Sequence, residues 1–137
     1  MYLLDTNVIS ELRKVGRGAD ARVSAWAHAL SPEVLYISAI TLMEIEIGVR
    51  KIERRDQAQG VVLRGWLETQ VSSAFEGRIL SFDASAARVC AGLHVPDRKS
   101  ERDAMIAATA LVHGLCVVTR NVSDFAVWGL PLLNPWQ

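Results

Sequence analysis

The sequence predicts an α/β protein in which a central, open parallel sheet is covered by helices on both faces, a three-layer α/β/α domain. Three observations predict it. Short apolar runs alternate with longer segments of helical period along the chain, the order that builds right-handed β–α–β crossovers. The runs are apolar throughout rather than alternating, as strands buried on both faces are. Half of the residues are hydrophobic, which suits a packed core and excludes a disordered chain. A length of 137 residues fits one domain and not two ordinary ones, so residues 1–137 are read as a single unit.

Tyr2-Leu3-Leu4 is the first strand, and it ends at Asp5; Val8, Ile9 and Leu12 then follow at helical spacing. Gly16 and Gly18 break the chain. A second helix is expected over 19–30, with Val23, Trp26 and Leu30 on one face and Ser31-Pro32 beyond its end. The second strand is 34–38. Residues 40–51 form a helix with an apolar stripe of Ile40, Met43, Ile47 and, later, Ile52; the polar run 53–59 turns before a long helix over 61–75, closed by Gly77. A third strand covers 79–82, and Asp83 caps the next helix through Ala87, Val89 and Leu93, ended by Pro96. Ser100-Glu101-Arg102-Asp103 has capping-box spacing before a helix over 104–113, with Gly114 as its stop. A fourth strand is 115–119, and Leu132-Leu133 adds a fifth at the edge. No internal repeat, low-complexity segment or linker interrupts the pattern.

Fifteen Lys plus Arg balance fifteen Asp plus Glu, so no global positive field draws the protein to a polyanion. Any nucleic-acid contact must be local, and the candidates closest in sequence to the acids Glu44, Asp103 and Asp124 are Arg102, Arg120 and the cluster from Arg50 to Arg55. Basic clusters occur at Arg13, Lys14, Arg17 and Arg22, at Arg50, Lys51, Arg54 and Arg55, and at Arg98, Lys99 and Arg102, each equally readable as a solvated helix end. Cys90 and Cys116 lack any metal or redox spacing and read as small hydrophobes in a reducing compartment; His28, His94 and His113 are isolated. The chain enters an apolar strand at its second residue, with no signal-peptide pattern, so a cytoplasmic location is expected. The least polar stretch, 104–118, contains Gly114 and is shorter than the roughly 20 residues that span a bilayer.

In an open parallel sheet the carboxyl ends of the strands share one edge, and ligands bind there. Asp5 ends the first strand; Thr119, Asn121 and Asp124 follow the fourth. The helix that feeds the fourth strand starts at the same edge, which places Asp103 there, and Glu44 lies early in the helix after the second strand. Glu46 competes with Glu44 for that position, but four residues before Arg50 it has a surface partner. Four like charges without a cation would cost stability, and a hard divalent ion converts that repulsion into coordination. Oxygen ligands without His or Cys favour Mg²⁺ or Mn²⁺ over zinc. Such an ion activates water and neutralises charge on a phosphate, which points to phosphodiester hydrolysis. Singly, each acid also has a structural reading: Asp103 as a capping acid, Asp124 as a turn or cap residue, Glu44 as an exposed helix acid. Asp5, at the end of a buried strand, is the hardest to explain that way.

Leu3-Leu4-Asp5-Thr6-Asn7-Val8-Ile9-Ser10-Glu11-Leu12, Met43-Glu44 with Gly48 behind it, Asp103-Ala104-Met105-Ile106-Ala107-Ala108, and Thr119-Arg120-Asn121 with Asp124-Phe125 together resemble PIN-domain toxins of the VapC type, in particular the FitB-like branch. The resemblance extends over essentially the whole chain, to Asn134-Pro135-Trp136. It implies an endoribonuclease toxin silenced by a cognate antitoxin of the VapB or FitA kind, with Asp5, Glu44, Asp103 and Asp124 at the acidic metal-binding positions. Thr6, Asn7, Thr119 and Asn121 would be polar supports around the metal waters. It further implies a homodimer within a larger toxin–antitoxin complex that contacts DNA through the antitoxin.

Two other readings compete. Asp5 after one strand and Ser38 after the next resemble the opening of haloacid-dehalogenase-type phosphatases, but that chemistry wants a second acid where Asn7 stands, and no late Asp-Asp pair is present. The other is a PIN-like domain that serves mainly as the protein-binding half of a DNA-bound complex.

Overall fold

The computed structural model describes residues 1–14 and 17–137. Gly16, expected to break the chain, lies outside the described residues, and Gly18 lies in the turn ahead of the second helix. Five strands, β1 (Tyr2–Leu4), β2 (Leu35–Ser38), β3 (Ile79–Leu80), β4 (Cys116–Val118) and β5 (Leu132–Leu133), form one parallel sheet in the order β3-β2-β1-β4-β5. The central strand is therefore the first in sequence. From β1 the chain builds outward through β2 and β3, then returns to the other side of β1 as β4, with Leu4 opposite Val118. The direction of winding reverses between β1 and β4, and that is where a crevice opens in an α/β sheet.

The helices are α1 (Thr6–Leu12), α2 (Ala21–His28), α3 (Ala39–Arg55), α4 (Gln57–Trp66), α5 (Ala84–Leu93), α6 (Glu101–His113) and α7 (Val122–Ala126). Leu3 and Leu4 are both fully buried, on opposite faces of β1. Leu4 joins Val8, Ile37, Val49, Leu67 and Val71 in one core. Leu3 joins Ile106, Ala107, Val117 and Phe125 in the other. Burying a Leu stabilises the fold by about 1.5–3 kcal/mol, and two cores separated by one sheet account for the three layers. Among the described residues no helix is long and apolar enough to cross a membrane.

Several local expectations change. The buried face of α3 carries Ile40, Thr41, Ile45 and Val49, whereas Met43 is exposed, so the apolar stripe is phased differently from the one read off Ile40, Met43 and Ile47. The turn expected over 53–59 shrinks to Asp56, which ends α3 and caps α4 by accepting from the Gln59 N–H (3.1 Å). After Trp66 the helix widens into a π-helical segment, Leu67–Ser73, which buries Leu67 and Val71. Ser100 occupies the N-cap of α6, but its hydroxyl takes no backbone N–H, so no capping box forms. Gly114 ends α6 with φ +66°, a conformation that favours glycine.

A second glycine is required by space. A Cβ on Gly60 would sit 2.7 Å from Glu53 Cα and 2.8 Å from its Cγ, because α3 and α4 cross closely there. Arg64 locks the crossing: its guanidinium donates to Glu46 (2.7 and 2.9 Å) and to Glu53 (2.9 and 3.1 Å). Gly60→Ala is therefore expected to lower stability by about 1–2 kcal/mol, since overpacking outweighs the roughly 1 kcal/mol that Ala gains over Gly in a helix. Urea denaturation measures it; a variant more stable than the wild type would show that the two helices can part freely.

Candidate active site

The cleft at the β1/β4 reversal starts from one buried carboxylate. Asp5 follows β1 directly and N-caps α1, its Oδ1 accepting from the Thr6 backbone N–H (2.8 Å). Its Oδ2 accepts from the Thr119 hydroxyl (2.8 Å) and the Asn7 amide (3.4 Å). Thr119, fully buried after β4, also accepts from the Asn121 N–H (3.0 Å), and Asn7 Oδ1 accepts from the Arg120 N–H (3.3 Å). Asp5, Asn7, Thr119 and Asn121 thus tie the ends of the two central strands together.

Glu44 enters from α3. Its Oε1 accepts from the Thr6 hydroxyl at 2.6 Å, and its Oε2 lies 3.6 Å from the Arg102 guanidinium. Below it, Thr6 reaches the buried Thr41 hydroxyl (3.4 Å), and Ser38 caps α3 through the Thr41 N–H (3.0 Å). Ser38 is fully buried and serves the helix cap, which removes the main support for a phosphatase reading. Asp103 comes from the first turn of α6. Asp5, Thr6, Asn7, Glu44, Asp103 and Asn121 line one cleft of about 440 Å³, with Lys14, Arg120 and Trp136 at its margins.

The fourth acid is Asp124. It is exposed in the first turn of α7 and does not line the cleft, although its charge reaches Asp103. Among the described residues no three acids, histidines or cysteines are gathered into a ready metal cage; the carboxylates stand around the cleft. Their mutual influence is nevertheless plain. Burial, opposed by the Thr119 and Thr6 hydrogen bonds and reinforced by the negative charges of Asp103 and Glu44, raises the Asp5 carboxyl to about 6. Asp103 is raised as well, by burial, then by Asp124 and by Glu44, with Ser100 opposing. An all-oxygen donor set in which burial and like charge disfavour ionisation is chemically matched to a hard divalent cation.

Sequence reasoning did not single out three contributors. Ser10 lies one turn beyond Thr6 on the same face of α1, a relation readable from helical spacing. Trp136 closes the cleft from the far end of the chain, and Arg120 lies over its ring at 5.4 Å. Glu11 faces the cleft margin, but its carboxylate accepts from the Asp20 N–H (2.9 Å) and from Lys14 (3.4 Å), an anchor for the start of α2. Two of the histidines make structural contacts: His28 Nδ1 lies 2.7 Å from the Ser24 carbonyl, and His94 accepts from the Lys99 N–H.

The raised Asp5 carboxyl has a thermodynamic consequence. Folding lifts it from 3.8 to about 6, so between those values the native state holds a proton that the unfolded chain releases, and stability falls as pH rises. In chelator, the wild type should lose up to about 3 kcal/mol between pH 4 and pH 7 relative to Asp5→Asn. Denaturant midpoints of the two proteins across that window provide the check; parallel curves would mean that Asp5 ionises at its ordinary value.

A three-layer parallel α/β domain whose switch point is lined by carboxylates from three separate elements defines the class: a hydrolase-type fold with an acidic, oxygen-lined centre. A match to the PIN domain covers residues 2–126. The chain is 40% identical, over its whole length and 99% of the relative's, to the VapC ribonuclease Y4jK of Sinorhizobium fredii. It is 37% identical to the toxin FitB of Neisseria gonorrhoeae, over 100% of this chain and 99% of that protein. The solved structure of FitAB bound to an IR36 DNA fragment superposes with a TM-score of 0.88 at 35% identity, covering 100% of this chain and 96% of that one. The chain belongs to the PIN-domain family, among the VapC and FitB type of toxins.

Proposed function

We propose that this protein is a divalent-metal-dependent endoribonuclease that acts in the cytoplasm as the toxin of a type II toxin–antitoxin pair, with residues 1–137 as one PIN domain. The observation that carries the reading is the meeting of Asp5, Glu44 and Asp103 at one cleft, from β1, α3 and α6. Those three, with Asp124, whose charge reaches Asp103, as the fourth acid, would hold Mg²⁺ or Mn²⁺. When bound, the metal activates water and offsets charge on the scissile phosphate. The protein's own groups orient and position. Thr119 and the Thr6 N–H fix both oxygens of Asp5. Thr6 aims the Glu44 carboxylate. Asn7 and Asn121 offer amide groups where waters gather.

The same acidic cleft suits the guanidinium of an antitoxin arginine, paired in bidentate fashion with carboxylates. An apolar stretch of that antitoxin has a place in the neighbouring cleft of about 480 Å³ between α1, α2 and the π-helical segment, lined by Ile9, Leu12, Trp66, Val71 and Phe75. FitAB bound to an IR36 DNA fragment supports an assembly with an antitoxin that binds DNA; in it the antitoxin, rather than this neutral chain, would contact the DNA, and the toxin would be a homodimer. The test is cleavage of mixed RNA by the purified protein, in Mg²⁺, in Mn²⁺ and in chelator, with and without the product of the adjacent small reading frame. Cleavage that needs metal and is suppressed in the complex is expected. Cleavage that persists in chelator overturns the metal site, and a complex that cuts as fast as the free protein overturns the toxin–antitoxin reading. No cleavage at all, with DNA binding by the complex, would favour a mainly structural subunit.

A further inference from the structure

A second groove leaves the acidic cleft and changes the sign of its lining as it goes. It has a volume of about 400 Å³ and shares Thr6, Ser10 and Glu44 with the cleft, so the two are continuous. One wall is the face of α1 bearing Thr6 and Ser10 and ending at Arg13. The facing wall is α3, along which Glu44, Gly48, Lys51 and Arg55 follow at spacings of four, three and four residues, with Ile45, Val49 and Ile52 beside them and Leu63 and Trp66 of α4 completing an apolar floor. The polar groups of each wall are acidic or hydroxylic at the inner end and cationic at the outer, over the apolar floor. Gly48 has nothing within 4 Å of where a Cβ would stand, so the middle of the groove is open. From Glu44 to Arg55 the stripe rises about 16 Å.

The cations at the outer end are free for a ligand. Among the described residues, the ion pairs of this region engage Arg50 with Glu46 and Arg64 with Glu46, Glu53 and Glu68, while Lys51, Arg55 and Arg13 pair with no carboxylate. Arg13 instead lies over the Trp66 ring, 5.8 Å from its centroid. In the lining of the acidic cleft Arg120 lies over Trp136, 5.4 Å from its centroid. Each of the two connected clefts thus carries an arginine over a tryptophan ring, Arg120 on Trp136 in the acidic one and Arg13 on Trp66 in the groove. Planar guanidinium groups supported in this way stack on exposed bases, and lysines beside them take phosphates. A narrow groove between two helices admits an extended strand with its bases turned out, and excludes a duplex.

We propose that the Arg13–Lys51–Arg55 groove is the path by which single-stranded RNA leaves the catalytic cleft, Lys51 and Arg55 holding phosphates and Arg13 stacking on a base. This rests on the nuclease reading and extends it to a substrate class and an orientation: the strand runs from Arg120 across Asp5 and Glu44 toward Arg55. It also resolves how a chain of zero net charge holds a polyanion, since the positive field is confined to the two exits.

The test uses the full chain. Binding of a fluorescent single-stranded oligoribonucleotide, and of the same sequence as a duplex, is measured by anisotropy between 50 and 200 mM salt in the Asp5→Asn background, which leaves the RNA uncut; KM and kcat are measured in the otherwise unmodified protein. Lys51→Gln and Arg55→Gln should each weaken single-strand binding roughly threefold to tenfold and lower the salt slope by about 0.7, the value for one lost phosphate contact on a single strand. Arg13→Gln should weaken binding with a smaller change of slope, because stacking is less sensitive to salt. Arg88→Gln, on exposed α5, should change nothing. Duplex affinity should be lower than single-strand affinity in every case. If the wild type cuts RNA but Lys51→Gln and Arg55→Gln keep full affinity and slope, the groove is not the path and the nuclease reading stands. If those variants lose the co-purifying antitoxin without loss of RNA affinity, the groove belongs to the protein partner, and the proposal falls. Equal binding of duplex and single strand overturns it as well. A wild type that neither cuts nor binds RNA removes the reading beneath it and the proposal together.

Discussion

Asp5→Asn should reduce metal-dependent RNA cleavage by at least about a hundredfold while leaving a folded protein that, in chelator at pH 7, is more stable than the wild type. Both effects come from the same burial. Asp5 is only 6% exposed and faces the charges of Asp103 and Glu44; ionised, it is costly without a cation and valuable with one. The amide oxygen can keep the Thr6 N–H and so cap α1, while the amide NH2 donates to the Thr119 hydroxyl oxygen, so the tie between β1 and β4 survives. What disappears is a charge. Magnesium or manganese should therefore raise the melting temperature of the wild type by mass action and do so far less for the variant. Steady-state cleavage and thermal denaturation, each with and without metal, read both arms. Full activity in Asp5→Asn with unchanged metal dependence would remove Asp5 from the centre, and a destabilised variant would mean that the Thr119 bond outweighs the repulsion.

That Asp5 can be singled out from the sequence follows from topology. A short apolar run buried on both faces must be an interior strand, an acid at its end must lie at the ligand-binding edge, and β1 is in fact the central strand. Asp103 is readable for a related reason, since a helix feeding a parallel strand begins at that edge. Asp124 reads onto the same edge, and its charge reaches Asp103 from an exposed position in the first turn of α7; residue order locates an element but not the rotation of a five-residue helix. The buried face of α3 differs from the stripe read off Ile40, Met43 and Ile47 because it runs through Thr41, Ile45 and Val49, and Thr41 is polar, a buried residue that an apolar pattern passes over, its hydroxyl satisfied by Ser38 and Thr6. Nor does periodicity show the π-helical segment, whose buried Leu67 and Val71 keep the i, i+4 spacing of an ordinary α-helix. The cationic exit needs two helices placed side by side. Its α3 stripe is visible in the sequence, but nothing in the sequence says that α1 lies across from it.

The position of α3 is tested directly by comparing its two candidate acids. Glu44→Gln should lower kcat more than about tenfold, whereas Glu46→Gln should change it less than about twofold, the difference between a carboxylate at the centre and one in an exposed ion-pair network. The geometry separates them. Glu44 receives the Thr6 hydroxyl at 2.6 Å and lines the cleft with Asp5 and Asp103; Glu46, two residues on and so on another face of the helix, is held by Arg64 and Arg50 and lies below the usual carboxylate range because of them. Glu46→Gln should instead lose up to about 1 kcal/mol of stability as the α3–α4 crossing loosens, and Glu44→Gln should weaken metal binding, measured by calorimetry, with little change in the denaturation midpoint measured in chelator. The amide oxygen that replaces the Glu44 carboxylate still accepts from the Thr6 hydroxyl, so the loss of activity in Glu44→Gln reports charge rather than a displaced helix. Equal losses of activity, or a larger loss for Glu46→Gln, would mean that α3 is rotated in the active protein and that Glu44 does not face the centre.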